Sequence, residues 1–137
     1  MTELIPITFK KIMQSRSYTV LILGTDKQKF AIYTDPHVGY TLQLHLTQKQ
    51  RPRPLTYDLI NKIFKGFDIK ILQVVISDVQ DTIFFAKLFL ELSAKEMKEI
   101  LEIDARPSDC LTLALVNNIP LFCKPEVLAK AMPVEEQ

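Results

Sequence analysis

Two apolar runs, residues 69–76 and 83–90, stand on either side of Asp78-Val79-Gln80-Asp81-Thr82. Both are dense in Ile, Val, Leu and Phe, side chains that pack well on a pleated surface, and the polar segment between them carries turn chemistry. They read as the arms of a long β-hairpin. Because the apolar character is nearly continuous rather than alternating, both faces of that hairpin need cover, which places it centrally in a sheet. A chain of 137 residues, 47% of them hydrophobic, can supply such a core within one domain and is excluded from the disordered class.

The other segments fit around this hairpin. Residues 19–23 and 30–33 are β-branched or aromatic and flank Gly24-Thr25-Asp26-Lys27-Gln28-Lys29, a second hairpin. Residues 5–9 add a short strand, and Pro6 suggests an edge position. Residues 38–46 satisfy both strand and helix periodicity, but Asp35 suits an N-cap and Pro36 the first helical position, which favours a helix although Gly39 and Thr41 weaken it. Thr56 is placed to cap a helix that turns Leu59, Ile60, Ile63 and Phe64 inward and ends at Gly66. Residues 97–103 fit strand or helix. Beyond them, Asp104-Ala105-Arg106-Pro107-Ser108-Asp109 leads into a helix over 110–116, stopped by Asn117-Asn118. A strand over 119–122 and a helix from Pro125 through Ala131 complete the pattern. The expected architecture is α+β: a single domain over residues 1–132 with a mixed or mostly antiparallel sheet, helices packed against it, and a polar tail at 133–137.

Charge excludes some functions and localises others. Seventeen Lys and Arg against sixteen Asp and Glu leave a net charge of +1, so no bulk field coats nucleic acid and any phosphate site must be local. Residues 45–65 are locally basic, with Lys49, Arg51, Arg53, Lys62 and Lys65 against Asp58, while residues 78–104 are locally acidic. The opening residues have the reverse polarity of a secretory signal, and no run approaches the roughly 20 apolar residues a membrane helix needs, so a cytoplasmic protein with no membrane partner is expected. Cys110 and Cys123 show no metal-ligand spacing and read as reduced core thiols.

Two polar clusters break the apolar pattern where loops hand over to helices: Arg51 and Arg53 with Thr56 and Asp58, and Asp104 with Arg106, Ser108 and Asp109. Free N–H groups at a helix start, together with a guanidinium's planar fork, suit a phosphate oxygen. The same residue types also serve as caps and structural ion pairs, Arg106 with Asp104 or Asp58 among them, and that reading stays open. His37 and His45, eight residues apart on a helix, fall on adjoining faces, so they do not share a metal. Tyr33, Phe84, Phe85 and Phe89 are candidates for base stacking, though runs this apolar are more often core.

The segments Pro52-Arg53-Pro54-Leu55-Thr56-Tyr57-Asp58-Leu59 and Asp104-Ala105-Arg106-Pro107-Ser108-Asp109 resemble the paired signatures of the bifunctional nuclease family, and the likeness extends over most of the chain. The resemblance implies an α+β domain with a helix after Tyr33, and an activity that cleaves both DNA and RNA. Three places depart from the family pattern. Thr34-Asp35 stands where an Ile-Gly step is usual, Val38-Gly39 where a Glu-Ala pair is usual, and Tyr57 replaces a His. A phenol of ordinary pKa ~10 is no base near neutrality.

For such chemistry the expected kit is Mg²⁺ or Mn²⁺ held by Asp58, Asp104 and Asp109 as catalytic and metal-ligating carboxylates. Arg53 and Arg106, with Thr56 and Ser108, would bind the substrate phosphate. A second reading, of another class, makes the domain a non-catalytic interaction or regulatory module that keeps the family's fold. Self-association as a homo-oligomer, a dimer first, is expected if the 69–90 hairpin exposes apolar surface.

Overall fold

In the computed structural model, which describes residues 3–47, 52–94 and 96–134, the chain runs β1 (Ile5–Gln14), β2 (Thr19–Gly24), β3 (Lys29–Thr34), α1 (Pro36–Leu46), α2 (Thr56–Gly66), β4 (Ile69–Gln80), β5 (Ile83–Ala94), β6 (Met97–Ala105), α3 (Pro107–Asn117), β7 (Leu121–Cys123) and α4 (Pro125–Lys130). The strands make one sheet in the order β3-β2-β1-β7-β4-β5-β6. Every pairing is antiparallel except β4 with β7, which the crossover through α3 makes parallel. This is the α+β domain the sequence implies, with a mostly antiparallel sheet.

The β4–β5 hairpin is the backbone of the sheet. Its arms pair from Ile69 opposite Leu92 to Gln80 opposite Ile83, interrupted by register shifts at 71–73 and 76–78. Val74, Ile76, Ala86, Leu88 and Leu90 are buried in the same core as Leu21, Leu23 and Phe30 of the first hairpin, Leu42 of α1 and Leu111 of α3. Cys110 and Cys123 are free thiols in that core.

Helix α1 begins as its cap chemistry dictates: the Asp35 carboxylate accepts from the His37 N–H at 3.1 Å, and Pro36 occupies the first turn. Gly39 has a positive reason to be there. Its N–H donates to Thr19 Oγ1 at 3.2 Å, and a Cβ at this position would overlap Thr19 Oγ1 and the Gln14 side chain. Close approach of α1 to the sheet thus offsets the helix propensity lost at a glycine.

Four expectations are corrected. Pro6 is not on an edge strand, because β1 lies between β2 and β7; the ladder to β2 begins only at Thr8, so on that side Pro6 has no ladder partner and its missing N–H costs nothing there. Thr56 is the first residue of α2 and is exposed, while Leu55 occupies the cap and the Asp58 carboxylate accepts the Leu55 N–H at 2.8 Å. The inward stripe of α2 is Tyr57, Ile60 and Phe64, at helical spacing, whereas Leu59 and Ile63 face outward. Finally, α3 starts at Pro107 rather than 110, since Pro suits the first turn, and it closes on Asn118 in the left-handed region at φ 55°. The open segment at 97–103 is strand, an edge strand paired to β5 along its whole length.

The two sheet edges differ. Along β3 the chain's own end returns, with the Val134 N–H donating to the Lys29 carbonyl at 2.8 Å, so residues 133–134 of the expected tail lie against the sheet. Residues 135–137 lie outside the described residues.

Candidate nucleic-acid interface and its polar network

The two polar clusters meet where the start of α2 abuts the start of α3. The Tyr57 hydroxyl donates to Asp109 Oδ1 at 2.7 Å, across 52 residues of sequence. Arg106 grips the same carboxylate in a fork, Nε to Oδ2 at 2.8 Å and an Nη to Oδ1 at 3.2 Å, while its own side chain stays largely in solvent. Arg106 therefore pairs with Asp109, not with Asp104 or Asp58.

Burial, and then the hydrogen bond to the Asp109 carboxylate, push the Tyr57 phenol up to about 12. The neutral phenol is thus favoured by folding. That contribution is complete below the ordinary phenol value of 10.0 and disappears as pH climbs towards about 12. Burial likewise raises the Cys110 thiol to about 12 and the Cys123 thiol to about 11, adding the same sign above their ordinary 9.0. Denaturant unfolding between pH 9 and 12 is expected to show falling stability, and Tyr57→Phe to flatten the part above pH 10. Parallel pH curves for the two proteins would exclude this role for Tyr57.

Beside this network lies a second, contributed by α1. His45 is buried, its ring edge-on to Tyr57 with centroids 5.9 Å apart and its Nδ1 3.8 Å from Asp58 Oδ1. That separation is an ion-pair distance when the imidazole is protonated and too long for a hydrogen bond. Sequence reasoning set His45 aside with His37. The signal for it was the inward stripe Gly39, Leu42, His45, spaced three apart on α1.

Asp58 also lines an open cleft of about 530 Å³ with Arg53, Pro54, Asn61 and Lys62. Arg53 and Lys62 are exposed there, so two cations share the cleft with one carboxylate. Asn61 is tied back to α3 by the Asn117 side-chain amide at 3.0 Å. Arg106 and Ser108 line a different cleft, of about 500 Å³, with Tyr33, Ile83 and Phe84. Ser108 is buried at 5% exposure and its carbonyl accepts from the Thr112 hydroxyl at 2.8 Å. Of the aromatic candidates, Phe84 stacks on Phe30 at 5.3 Å while Tyr33 is exposed. Arg51 and Lys49 lie outside the described residues.

Asp104 does not join. It is exposed on β6 opposite Lys87, and among the described residues it enters no hydrogen bond or ion pair with the Tyr57–Asp109–Arg106 network. Among the described residues no three His, Cys, Asp or Glu side chains converge as a metal-holding group. A Mg²⁺ or Mn²⁺ centre made of Asp58, Asp104 and Asp109 therefore does not fit this arrangement. Asp109 already spends both oxygens on Tyr57 and Arg106, Asp58 faces the other cleft, and Asp104 stands on the strand.

The α+β domain thus sets two helix starts against one another across an Arg-carboxylate-phenol network, with the cleft of Arg53, Asp58 and Lys62 beside it. The family is defined by sequence. Residues 20–136 match the family model described as the bifunctional nuclease domain. Two relatives from Mycobacterium tuberculosis, Uncharacterized protein MT1877 of strain CDC 1551 and Uncharacterized protein Rv1829 of strain H37Rv, are each 35% identical over 123 residues, covering 88% of this chain and 71% of their own. The chain belongs to the bifunctional nuclease domain family. None of its described helices is long and apolar enough to cross a membrane.

Proposed function

We propose that this domain binds single-stranded DNA and RNA through the cleft on α2 and hydrolyses their phosphodiesters there. The observation that carries the reading is that the Asp58 carboxylate lines one open cleft together with Arg53 and Lys62. A phosphodiester needs its charge neutralised before water can attack it, and two cations at the rim do that. Asp58, the carboxylate in reach of the bound phosphate, draws the proton from the attacking water. Its orientation is held by the Leu55 N–H and the neighbouring His45. Tyr57 and Asp109 hold α2 against α3 and so set the cleft's inner wall.

The test measures binding and cleavage of single-stranded DNA and RNA oligonucleotides, each with Mg²⁺, with Mn²⁺ and with EDTA. Arg53→Ala with Lys62→Ala is expected to weaken binding about tenfold or more and to reduce the dependence of affinity on salt by roughly two phosphate contacts. An unchanged salt slope would place the nucleic acid elsewhere.

The self-satisfied Arg106–Asp109–Tyr57 network favours a second reading, the non-catalytic module, because it leaves little unpaired charge beside the cleft. Oligonucleotide binding that depends on Arg53 and Lys62, with no cleavage under any metal condition, would decide for it.

A further inference from the structure

We infer that Tyr33 is a stacking platform for a base of single-stranded DNA or RNA, with the neighbouring phosphates drawn to Lys11 in one cleft beside the ring and to Arg106 in another. The inference rests on the reading that this domain binds nucleic acid, and extends it to residues outside the α2 cleft. Strands β1, β2 and β3 have two unlike faces. Leu21, Leu23, Phe30 and Ile32 belong to the core. The alternate residues do not: Val20 pairs with Met13 and Tyr33, Ile22 pairs with Lys11 and Ala31, and all six line an open cleft of about 430 Å³. A sheet face turned from the core is ordinarily polar, yet this one is mostly apolar, and among the described residues no helical residue lines the cleft.

Tyr33 is 64% exposed and Tyr18 45%, and their rings meet edge-on at 65° with centroids 5.5 Å apart. The contact holds the Tyr33 ring in place while leaving most of it open, so stacking on it costs little ordering entropy. Tyr33 also lines a second cleft, of about 500 Å³, with Ile83, Phe84 and Arg106. Each cleft thus has one cation, and among the described residues neither is lined by an Asp or Glu, although the chain has 16 of them. The fork to Asp109 engages Nε and one Nη of Arg106, and among the described residues no bond to the other Nη is seen. An exposed aromatic ring with a cation on either side and no lining carboxylate suits a ligand that alternates flat rings with anions. A single strand of nucleic acid is such a ligand. In a duplex the bases already stack on one another, so the platform selects single strands. Through Asp109 and Tyr57, Arg106 is bonded to the start of α2, where Asp58 lines the cleft proposed for the phosphodiester.

The test compares binding of oligothymidylate, of the same strand in a duplex, and of an abasic deoxyribose-phosphate strand of equal length. Tyr33→Ala is expected to weaken oligothymidylate binding about tenfold or more, while leaving the abasic strand's affinity and the salt slope as they were. Tyr33→Phe is expected to keep the parent affinity, because the ring face rather than the hydroxyl makes the contact. Circular dichroism melts check that both variants are folded. The chain has no Trp, so Tyr33→Trp supplies a lone indole, whose fluorescence is expected to fall with oligothymidylate and to hold with the duplex or the abasic strand. Equal affinity of the parent and Tyr33→Ala for oligothymidylate, or an indole indifferent to it, overturns the platform. If binding then still depends on Arg53 and Lys62, the α2 cleft stands without it. Quenching of the indole that is unaffected by Arg53→Ala with Lys62→Ala supports the platform and removes the α2 cleft instead. A protein that binds none of the three strands overturns both.

Discussion

Asp58→Asn is expected to lower the proposed cleavage of single-stranded DNA and RNA by about a hundredfold or more, the scale of losing a positioned general base. The substitution is nearly isosteric and keeps an amide oxygen to accept the Leu55 N–H, which Asp58 now accepts at 2.8 Å, so the start of α2 keeps its satisfied backbone. What is lost is the negative charge beside Arg53 and Lys62 and the ability to take a proton. Binding should hold or tighten, because a carboxylate no longer repels the phosphate. A fall in turnover with intact affinity is the signature of a base. Asp58→Asn cleaving as fast as the parent protein would remove the proposed mechanism, while equal losses in binding and turnover would point to a misfolded cleft, which thermal melts report.

Phe30→Ala is expected to cost about 3–5 kcal/mol, enough to lower the melting temperature of a domain this size by roughly 10 °C or more. Phe30 is fully buried on β3, and its ring stacks on Phe84 with centroids 5.3 Å apart and an interplanar angle of 17°. Phe84 belongs to the second hairpin, so this one contact joins the two hairpins through the core. Truncation removes the transfer free energy of a whole ring and leaves a cavity between elements that are each held by their own ladders and so cannot collapse onto it. Tyr33, three residues on and exposed, provides the contrast: Tyr33→Ala should move the melting temperature little. A loss below about 1 kcal/mol at Phe30 would mean that the sheet and helices re-pack far more freely than a close-packed interior allows.

The fold was legible wherever its signal was local. Asp35 before Pro36 and Asn118 at the end of α3 each act within a few residues, and so does the hairpin turn, although it is confined to Asp81 and Thr82 because the ladder runs on through Gln80 opposite Ile83. The 97–103 segment stayed open because Met97, Ile100, Leu101 and Ile103 do not alternate strictly with its charges, and the strand they form lies on an edge that the core does not select. Pro6 misled for a related reason: whether a proline sits on a strand edge depends on which partner reaches that residue, and the β2 ladder starts two residues later.

The site was half legible. That the two signature segments belong together follows from the resemblance, and the 2.7 Å contact from Tyr57 to Asp109 shows them meeting, through a pair the sequence did not single out. How the charges are shared out did not follow. Asp104, Arg106 and Asp109 lie within six residues, yet the turn from strand to helix leaves Asp104 on β6 and folds Arg106 back onto Asp109. Spacing alone cannot rank those pairings, because side chains so close in sequence are all within reach of one another until the backbone commits. His45 was missed since its partner Asp58 lies on another helix, beyond any periodicity test.

The short strand β7 lies between β1 and β4, with Ile5 opposite Cys123 and Val74 opposite Leu121, so a strand that follows both hairpins in sequence stitches the first to the second. A ribosome must therefore have passed β7 before the sheet can close. Until then the two hairpins wait as separate, half-covered platforms, and the emerging protein relies on whatever shields nascent apolar surface in the cell.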